Sequence, residues 1–377
     1  MSAPVSGTDR TPPQQGRPRI LAVTTWLPTS ANPMSGVFVE RDVRALSTVA
    51  DVRVVHLVRP DLLGPDEATR IGTVPVRRVP FHPGRPWMWA RARRELEAAA
   101  RDADIVHTMA VSSLLPYARR RPAVPWVHTE HWSSFAGGSS LAVRAVRRLA
   151  FGLMRLPDVV VAVSPQLRTA LAGGSSRSVA EIPNIVDVPA PAPRAEDPRP
   201  LTLAGVGGLI DRKGPLTALG ATAELNRRGR PSRLVWAGDG VLADDMRSQA
   251  EALGVDLELL GTVPPAKIPA VLASCDVFVL PTSHETFGLA TVEALASGRP
   301  VVVGTAGGAA ADVRPPTGRV VPQRDPVAYA DAIELVLDEC AGMTADEIAE
   351  PVRDKYSAAR FARSYRHIYD EVRGTSK

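Results

Sequence analysis

Residues 276–303 decide the fold, and they read Asp276-Val-Phe-Val-Leu-Pro-Thr-Ser-His-Glu285-Thr-Phe-Gly-Leu-Ala-Thr-Val-Glu293-Ala-Leu-Ala-Ser-Gly-Arg-Pro-Val-Val-Val303. Two short apolar runs flank a polar loop and an Ala-rich segment, which predicts the order strand, loop, helix, strand. A loop that leads from a parallel strand into a helix presents backbone N–H groups where anions bind. Glu285 is expected in this loop and Glu293 about two turns into the helix, because one turn takes 3.6 residues.

The two carboxylates are eight residues apart, which is too far for them to share one proton. They are suited to hold the two hydroxyl-rich ends of one long polar ligand whose anionic middle rests at the helix N-terminus. A nucleotide-sugar has this layout, because its sugar, diphosphate and ribose follow one another. The alternatives that need no ligand are an exposed helix residue for Glu293 and a capping or loop carboxylate for Glu285.

Length and composition indicate a globular chain with more than one core. The 377 residues are 45% apolar, and the mean hydropathy is −0.03. A chain of this length suits two domains. No apolar run approaches the roughly 18 residues that span a bilayer. The polar, Pro-rich residues 1–18 are expected to be a disordered tail rather than a signal peptide. Cys275 and Cys340 give no disulfide framework, so a cytoplasmic location is expected.

Short β-branched runs alternate with helix-like stretches along both halves of the chain. This pattern predicts an α/β protein with two doubly wound parallel-sheet (Rossmann-like) domains that face each other across a cleft. Apolar and aromatic side chains at helical spacing also predict a helix at the C-terminus. The predicted segments are a tail at 1–18, a first domain at 19–186, a Pro-rich linker at 187–200, a second domain at 201–355, and a C-terminal helix at 356–377 that packs back toward the first domain.

Several motifs together carry a family resemblance. In the second half they are Glu285 with seven residues before Glu293, Phe287-Gly-Leu289, Ala296-Ser-Gly-Arg-Pro300, Gly307-Gly308, Gly238-Asp-Gly240, Leu209 to Gly214, and Ile182-Pro-Asn-Ile-Val-Asp187; in the first half they are Ser35-Gly-Val-Phe-Val-Glu40, Thr129-Glu-His131 and Val163-Ser-Pro165. With them the chain resembles the retaining family-4 glycosyltransferases of the GT-B fold over about residues 19–372.

The resemblance implies that a sugar moves from a nucleoside-diphosphate donor to an acceptor with retention of anomeric configuration. It implies neither a metal ion nor a cofactor, the nucleotide-sugar being a substrate. It places Glu285 at the donor sugar as a catalytic residue and Glu293 at the ribose hydroxyls. Backbone N–H groups of Phe287, Gly288 and Leu289 are then expected to face the sugar and the diphosphate.

Further donor contacts follow from the same resemblance. Lys213 matches a lysine that contacts the diphosphate, where a cation stabilises the leaving charge. The family usually has an arginine five residues earlier, but this chain has Gly208, so one expected phosphate contact is missing. Arg212 is a candidate to supply that contact. Val263 matches a region where backbone meets the base.

In the first half, His131 matches a histidine near the donor sugar and is the second expected catalytic residue. His128 is the alternative, because it is only three residues away. Gly36 is a further candidate, since a glycine-rich loop at this position borders the cleft; an ordinary turn is the other interpretation.

Charge adds a prediction about partners. Residues 1–186 hold 24 Arg and 14 acidic residues, whereas the remainder is net negative. Aromatic and basic residues mix at 85–94 and at 141–151. Such surfaces can bind an anionic membrane or a lipid-linked acceptor. The alternative interpretation is a solvated, Arg-rich face without a partner. The acceptor is expected to be a saccharide, a lipid-linked saccharide or a small metabolite, and nucleic acid is not expected, since no recognition motif is present. We expect a cytoplasmic location, and the membrane interpretation adds peripheral contact at the inner face of the membrane.

Two rival functions remain at this point. A nucleotide-sugar epimerase on the same fold would form product from the donor alone. A non-catalytic homologue that binds a sugar nucleotide is the other alternative, and Gly208 in place of arginine favours it.

Overall fold

A computed structural model describes residues 16–374, except residues 34, 65–66, 132–140, 174–178, 187–190, 192, 194–199, 286, 305–307 and 309–311. Two sheets organise this part of the chain. The motif glycine at 307 lies outside the described residues, as does most of the segment predicted as linker.

The first sheet has eight strands in the spatial order β3-β4-β2-β1-β5-β6-β7-β8, and only the short β3–β4 pair is antiparallel. Its order reverses direction between β1 and β5, so the carboxyl ends of these two strands open onto a crevice. The strands are β1 (Arg19–Thr24), β2 (Asp51–Val58), β3 (Arg70–Ile71), β4 (Val74–Pro80), β5 (Ile105–Met109), β6 (Trp126–Glu130), β7 (Val159–Ala162) and β8 (Val179–Glu181).

Helices cover both faces of this sheet, and each face has its own apolar core. The near-continuous apolar strands follow from that double cover, because neither face meets water. The helices of this half are α1 (Val37–Leu46), α2 (Pro86–Ala99), α3 (Leu141–Leu153) and α4 (Pro165–Ala172).

The second sheet has six parallel strands in the order β11-β10-β9-β12-β13-β14, with its reversal between β9 and β12. One apolar core holds this half together. The strands are β9 (Leu201–Val206), β10 (Ser232–Ala237), β11 (Asp256–Leu259), β12 (Val277–Leu280), β13 (Val301–Val303) and β14 (Gly318–Val320); the helices are α5 (Pro215–Arg227), α6 (Ala243–Leu253), α7 (Ile268–Ala273), α8 (Leu289–Ala296), α9 (Pro326–Glu339) and α10 (Ala345–Arg353). The predicted fold class, two parallel-sheet α/β domains, is confirmed. No helix in the described part of the chain combines the length and apolar character needed to cross a bilayer.

The last helix, α11 (Ala358–Gly374), follows the second domain in sequence but packs in the core of the first. It lies against α1 and buries Phe361, Tyr365, Ile368, Tyr369 and Val372 there. These five residues recur at the three- and four-residue spacing of one helix face.

A buried hydrogen-bond network ties α11 to the first sheet. The His107 ring bonds Tyr369 Oη through Nδ1 and Thr129 Oγ1 through Nε2, each at 2.7 Å. Thr129 Oγ1 lies 2.6 Å from Tyr365 Oη. Burial lowers the pKa of His107 to about 3, so its ring is neutral here at neutral pH.

We expect Tyr369→Phe to lower the free energy of unfolding by about 1–3 kcal/mol, because it leaves a buried His107 nitrogen without its partner. Tyr117→Phe is the matched control, since Tyr117 Oη is also buried in the first domain but has no hydrogen-bond partner among the described residues. Urea denaturation, followed by tryptophan fluorescence, measures both. Equal midpoints for the two variants would contradict a stabilising role of the network.

Candidate functional site

Glu285 lies in the loop after β12, where two cations from the loop after β9 reach it. Lys213 Nζ donates to Glu285 Oε1, and Arg212 Nη1 lies 3.4 Å from the same oxygen. Arg212 Nη1 also donates to the backbone carbonyl of His284 at 2.6 Å. The structure therefore brings Glu285, Lys213 and Arg212 together at the carboxyl ends of two adjacent strands.

The loop that carries Lys213 ends at Gly214, which is the N-cap of α5 and has φ +69°. A Cβ at this glycine would lie 2.3 Å from the carbonyl oxygen of Pro281, just after β12. Only glycine combines this left-handed backbone with so close an approach. The two loops are thus held side by side, which keeps Lys213 at Glu285.

The start of α8 follows this loop. Phe287 is buried and packs edge-on against Tyr356, with ring centroids 5.4 Å apart. Gly288 is the N-cap of α8 with φ +86°, and Leu289 is the first helical residue. The backbone N–H groups of Gly288 and Leu289 lack the intrahelical partners that later residues have. A helix start of this kind favours an anion.

Glu293 is the fifth residue of α8, so it lies just over one turn into the helix rather than about two. The difference arises because the loop extends to Gly288, so that the helix begins later than the spacing suggested. The Glu293 side chain is only 9% exposed and lies 3.1 Å from Arg41 Nη1 of α1 in the other domain. Burial raises the pKa of Glu293, although Arg41 opposes the shift. An exposed helix residue, the interpretation without a ligand, does not describe it.

A pocket of about 430 Å³ lies between the domains and gathers several candidates. Val263, Leu289 and Glu293 line it, and so do Gly207 and Gly208 after β9. Val37, Phe38 and Arg41 of α1 line it from the first domain. Lys213 adjoins it, because a Cβ at Gly207 would lie 3.2 Å from Lys213 Cε.

His131 follows β6 and lies behind this pocket rather than on its surface. Its ring packs against Phe38, which lines the pocket, with centroids 4.6 Å apart. Nε2 lies 3.9 Å from Asp42 Oδ2, and the Asn184 side chain lies close enough to the ring to favour its protonated form. Burial lowers the pKa of His131 to about 4 even though Glu130 opposes the shift, so the ring is neutral at neutral pH.

His128 does not reach the cleft. It lies within β6, fully buried, with Nδ1 3.0 Å from Thr108 Oγ1 and Nε2 3.4 Å from Glu130 Oε2. Because β6 runs from Trp126 to Glu130, His128 belongs to the strand and not to the loop that follows it. The alternative role of His128 at the donor sugar is therefore not supported by its position.

Gly36 is the N-cap of α1 with φ +68°. A Cβ there would lie 2.4 Å from the backbone carbon of Trp26, so the loop after β1 requires glycine for a structural reason. Nothing in this contact shows a ligand role for Gly36.

Arg41 and Asp42 were missed by the sequence analysis. Arg41 has no local signal, because its partner Glu293 is 252 residues away. Asp42 is buried on the inner face of α1, and burial raises its pKa well above the ordinary value, with Arg41 opposing. The sequence signal for its burial is its position on the apolar face of α1, between Val39 and Val43.

No cluster of three or more potential metal ligands of the His, Cys, Asp and Glu type occurs among the residues described. The Asp-x-Asp at Asp102 and Asp104 lies beside the start of β5, where Asp104 bonds Arg19. This edge is opposite the carboxyl ends that form the cleft.

We expect the free energy of unfolding of Asp42→Asn, taken relative to that of wild type, to increase as pH rises from 4.5 to 7.5. In wild type, folding raises the pKa of the Asp42 carboxyl. Such a group contributes fully to the stability of the fold below its ordinary pKa, and this contribution is lost as pH rises toward the folded pKa. Each unit between the folded and the ordinary pKa corresponds to about 1.4 kcal/mol. Urea denaturation at both pH values measures the change.

Glu40→Gln, on the exposed side of the same helix, is the control for this comparison, because Glu40 pairs with Arg44 at the surface. A difference between Asp42→Asn and wild type that is identical at pH 4.5 and 7.5 would contradict the assignment.

Comparison with known proteins agrees with the fold. Residues 37–189 match the family model described as Glycosyltransferase Family 4, and residues 200–339 match the model described as Glycosyl transferases group 1. Two facing parallel-sheet domains with a site between them define the GT-B class. The chain belongs to the family-4, group 1 glycosyltransferases.

Among curated proteins, D-inositol 3-phosphate glycosyltransferase of Corynebacterium aurimucosum is 32% identical over 229 residues, which is 57% of this chain and 52% of that protein. The 2-deoxystreptamine glucosyltransferase of Streptomyces kanamyceticus is 29% identical over 258 residues, which is 61% of this chain and 66% of that protein. The chain thus spans about half to two thirds of the length of these relatives.

Solved structures show the same fold over nearly the whole chain. Sucrose-phosphate synthase from Thermosynechococcus elongatus aligns with a TM-score of 0.76 at 19% identity, covering 96% of this chain and 100% of that one. HepE of Anabaena, solved with UDP-glucose, aligns with a TM-score of 0.69 at 18% identity, covering 94% and 100%.

Proposed function

We propose that this protein transfers a sugar from a nucleoside-diphosphate donor to an acceptor hydroxyl, with retention of anomeric configuration and without a metal ion. One observation carries the proposal: Glu285 and Lys213 meet beside the start of α8, while Glu293 lines the adjoining pocket. A donor of this class has a sugar, an anionic diphosphate and a ribose, in the order in which the site offers a carboxylate, cations with helix N–H groups, and a second carboxylate.

The reaction breaks the bond between the anomeric carbon and the diphosphate oxygen and forms one to the acceptor oxygen. The acceptor proton passes to the departing phosphate oxygen on the same face of the sugar, which gives retention. Lys213 stabilises the charge that develops on the diphosphate. Glu285, held by Lys213 and Arg212, accepts hydrogen bonds from sugar hydroxyls. Closure of the domains excludes water from the activated sugar.

The acceptor site is proposed in the first domain. A cavity of about 220 Å³ opens at the carboxyl ends of β1 and β2, and its polar lining includes Asn32, Ser35, His56, Arg59 and Ser112. Two of the relatives act, by name, on an inositol phosphate and on 2-deoxystreptamine. Both compounds are small rings that carry several polar substituents. A small cyclitol or aminocyclitol is therefore the first acceptor class to assay.

We expect Lys213→Ala to lower kcat/KM for transfer by about 10²–10³-fold, the usual effect of removing one group that stabilises a developing anion. Glu285→Gln is expected to lower it by about ten- to hundredfold, since a hydrogen bond to a charged group is worth about 1.5–3 kcal/mol. The assay follows nucleoside diphosphate release with and without cyclitol acceptors, using the nucleotide-sugar that most raises the melting temperature.

Glu251→Gln is the control variant for this assay, because Glu251 is exposed on α6. Equal turnover by wild type and Glu285→Gln would reject the assignment. Product formed from the donor alone, without an acceptor, would instead indicate an epimerase, and saturable donor binding without any turnover would indicate a non-catalytic binding protein.

Metal independence has its own test. Excess EDTA is expected to leave the transfer rate unchanged, because Lys213 and Arg212 provide positive charge beside the diphosphate position. The rate is compared before and after chelation and after Mg²⁺ or Mn²⁺ is returned. A rate that falls with EDTA and recovers with either ion would contradict this part of the proposal.

A further inference from the structure

Among the residues that the structure describes, Arg41 is the charged residue of the first domain that lines the pocket between the domains. Its helix, α1, is fixed to its own sheet by buried residues such as Val39, Val43 and Leu46. The Arg41 side chain points across the cleft, is 21% exposed, and reaches Glu293 with Nη1 at 3.1 Å. Arginine has five N–H donors in a planar fork, and among the described residues only Glu293 accepts from it.

The charge of the pocket makes this side chain significant. Asp239 and Glu293 line the pocket and are acidic, and Arg41 is the one cation among its described lining residues. Lys213 and Arg212 lie to one side, where both approach Glu285. Asp239 and Glu293 would repel a diphosphate that enters this pocket unless a cation within the pocket offsets their charge.

Gly207 and Gly208 line the pocket from the second domain, directly after β9, and have no side chain of their own to offer a cation, although Lys213 adjoins Gly207. A Cβ at Gly208 would find only the carbonyl oxygen of Asp239 within 4 Å, at an ordinary contact distance of 3.6 Å. The pocket therefore has room at Gly208 for a larger residue. Among its described lining residues the cation is Arg41, which comes from the first domain.

We propose that Arg41 binds the phosphates of the donor while Nη1 keeps its ion pair with Glu293. The remaining donors of the guanidinium fork, Nε–H and Nη2–H, would each bond a phosphate oxygen, as bidentate arginine contacts do. This inference rests on the proposed function, because it assumes a nucleoside-diphosphate donor in this pocket.

The arrangement links donor binding to the relation between the domains. Val263, Leu289 and Glu293 belong to the second domain, whereas the phosphate-binding cation belongs to the first. A donor that bonds both holds the cleft closed, since it bonds groups on each side. The leaving nucleoside diphosphate then also bridges the domains until they separate.

Isothermal titration calorimetry with UDP, GDP and ADP, and with the matching nucleosides, tests the proposal. We expect Arg41→Ala to weaken binding of the preferred diphosphate by about ten- to hundredfold and to leave binding of its nucleoside nearly unchanged. Arg41→Lys keeps the charge but loses the fork, so an intermediate loss is expected. The weakening by salt is expected to be smaller in Arg41→Ala than in wild type.

Two further variants sharpen the comparison. Arg44→Ala is the matched control, because Arg44 is on the same helix but pairs with Glu40 at the surface. Gly208→Arg, added to Arg41→Ala, is expected to restore part of the diphosphate affinity, because it returns a guanidinium to the same pocket from the second domain.

The outcomes separate this inference from the proposed function. Wild type that binds a diphosphate while Arg41→Ala binds it equally well or more tightly overturns the role of Arg41 and leaves the proposed function standing. Equal losses for the nucleoside and the diphosphate also overturn it, because the effect would then come from a displaced Glu293. Wild type that binds none of the three diphosphates overturns both proposals.

Discussion

The burial of α11 against the first sheet is the interaction on which the rest of the structure depends. Its tyrosines enter a core formed by β1, β5 and α1, and their hydroxyl groups bond His107 and Thr129 inside it. A buried polar network of this kind is stable only when its members are paired. Because α11 also packs on α1, it supports the helix that carries Arg41 to the other domain.

The sequence predicted the fold class and the place of the site because both depend on local patterns. Parallel strands buried on both faces leave near-continuous apolar runs, and the start of α8 has its own glycine and spacing. Strand β4 has only a weak sequence signal, because Pro75 and Pro80 lie near its two ends and Arg77 and Arg78 interrupt its apolar pattern. Proline cannot donate a ladder hydrogen bond, so such a run is typical of a loop.

What the sequence could not predict are contacts between distant residues. The pairing of Arg41 with Glu293 joins positions 252 residues apart, and nothing near either residue indicates the other. The choice between His128 and His131 depends on where β6 ends: the strand extends to Glu130, which leaves His131 as the first residue after it. The resemblance named Glu285, Lys213 and Glu293, and the structure places the first two in contact and the third at the adjoining pocket. Their roles toward a donor stay predictions.

The path of the chain has a consequence for anyone who divides the molecule. The first sheet gets one covering helix from residues that follow the entire second sheet in sequence. A fragment that stops near residue 200 would lack that cover and expose an apolar surface around β1 and β5, which invites aggregation. A separable first half therefore needs residues 358–374 joined back to it, by circular permutation or by a fused segment.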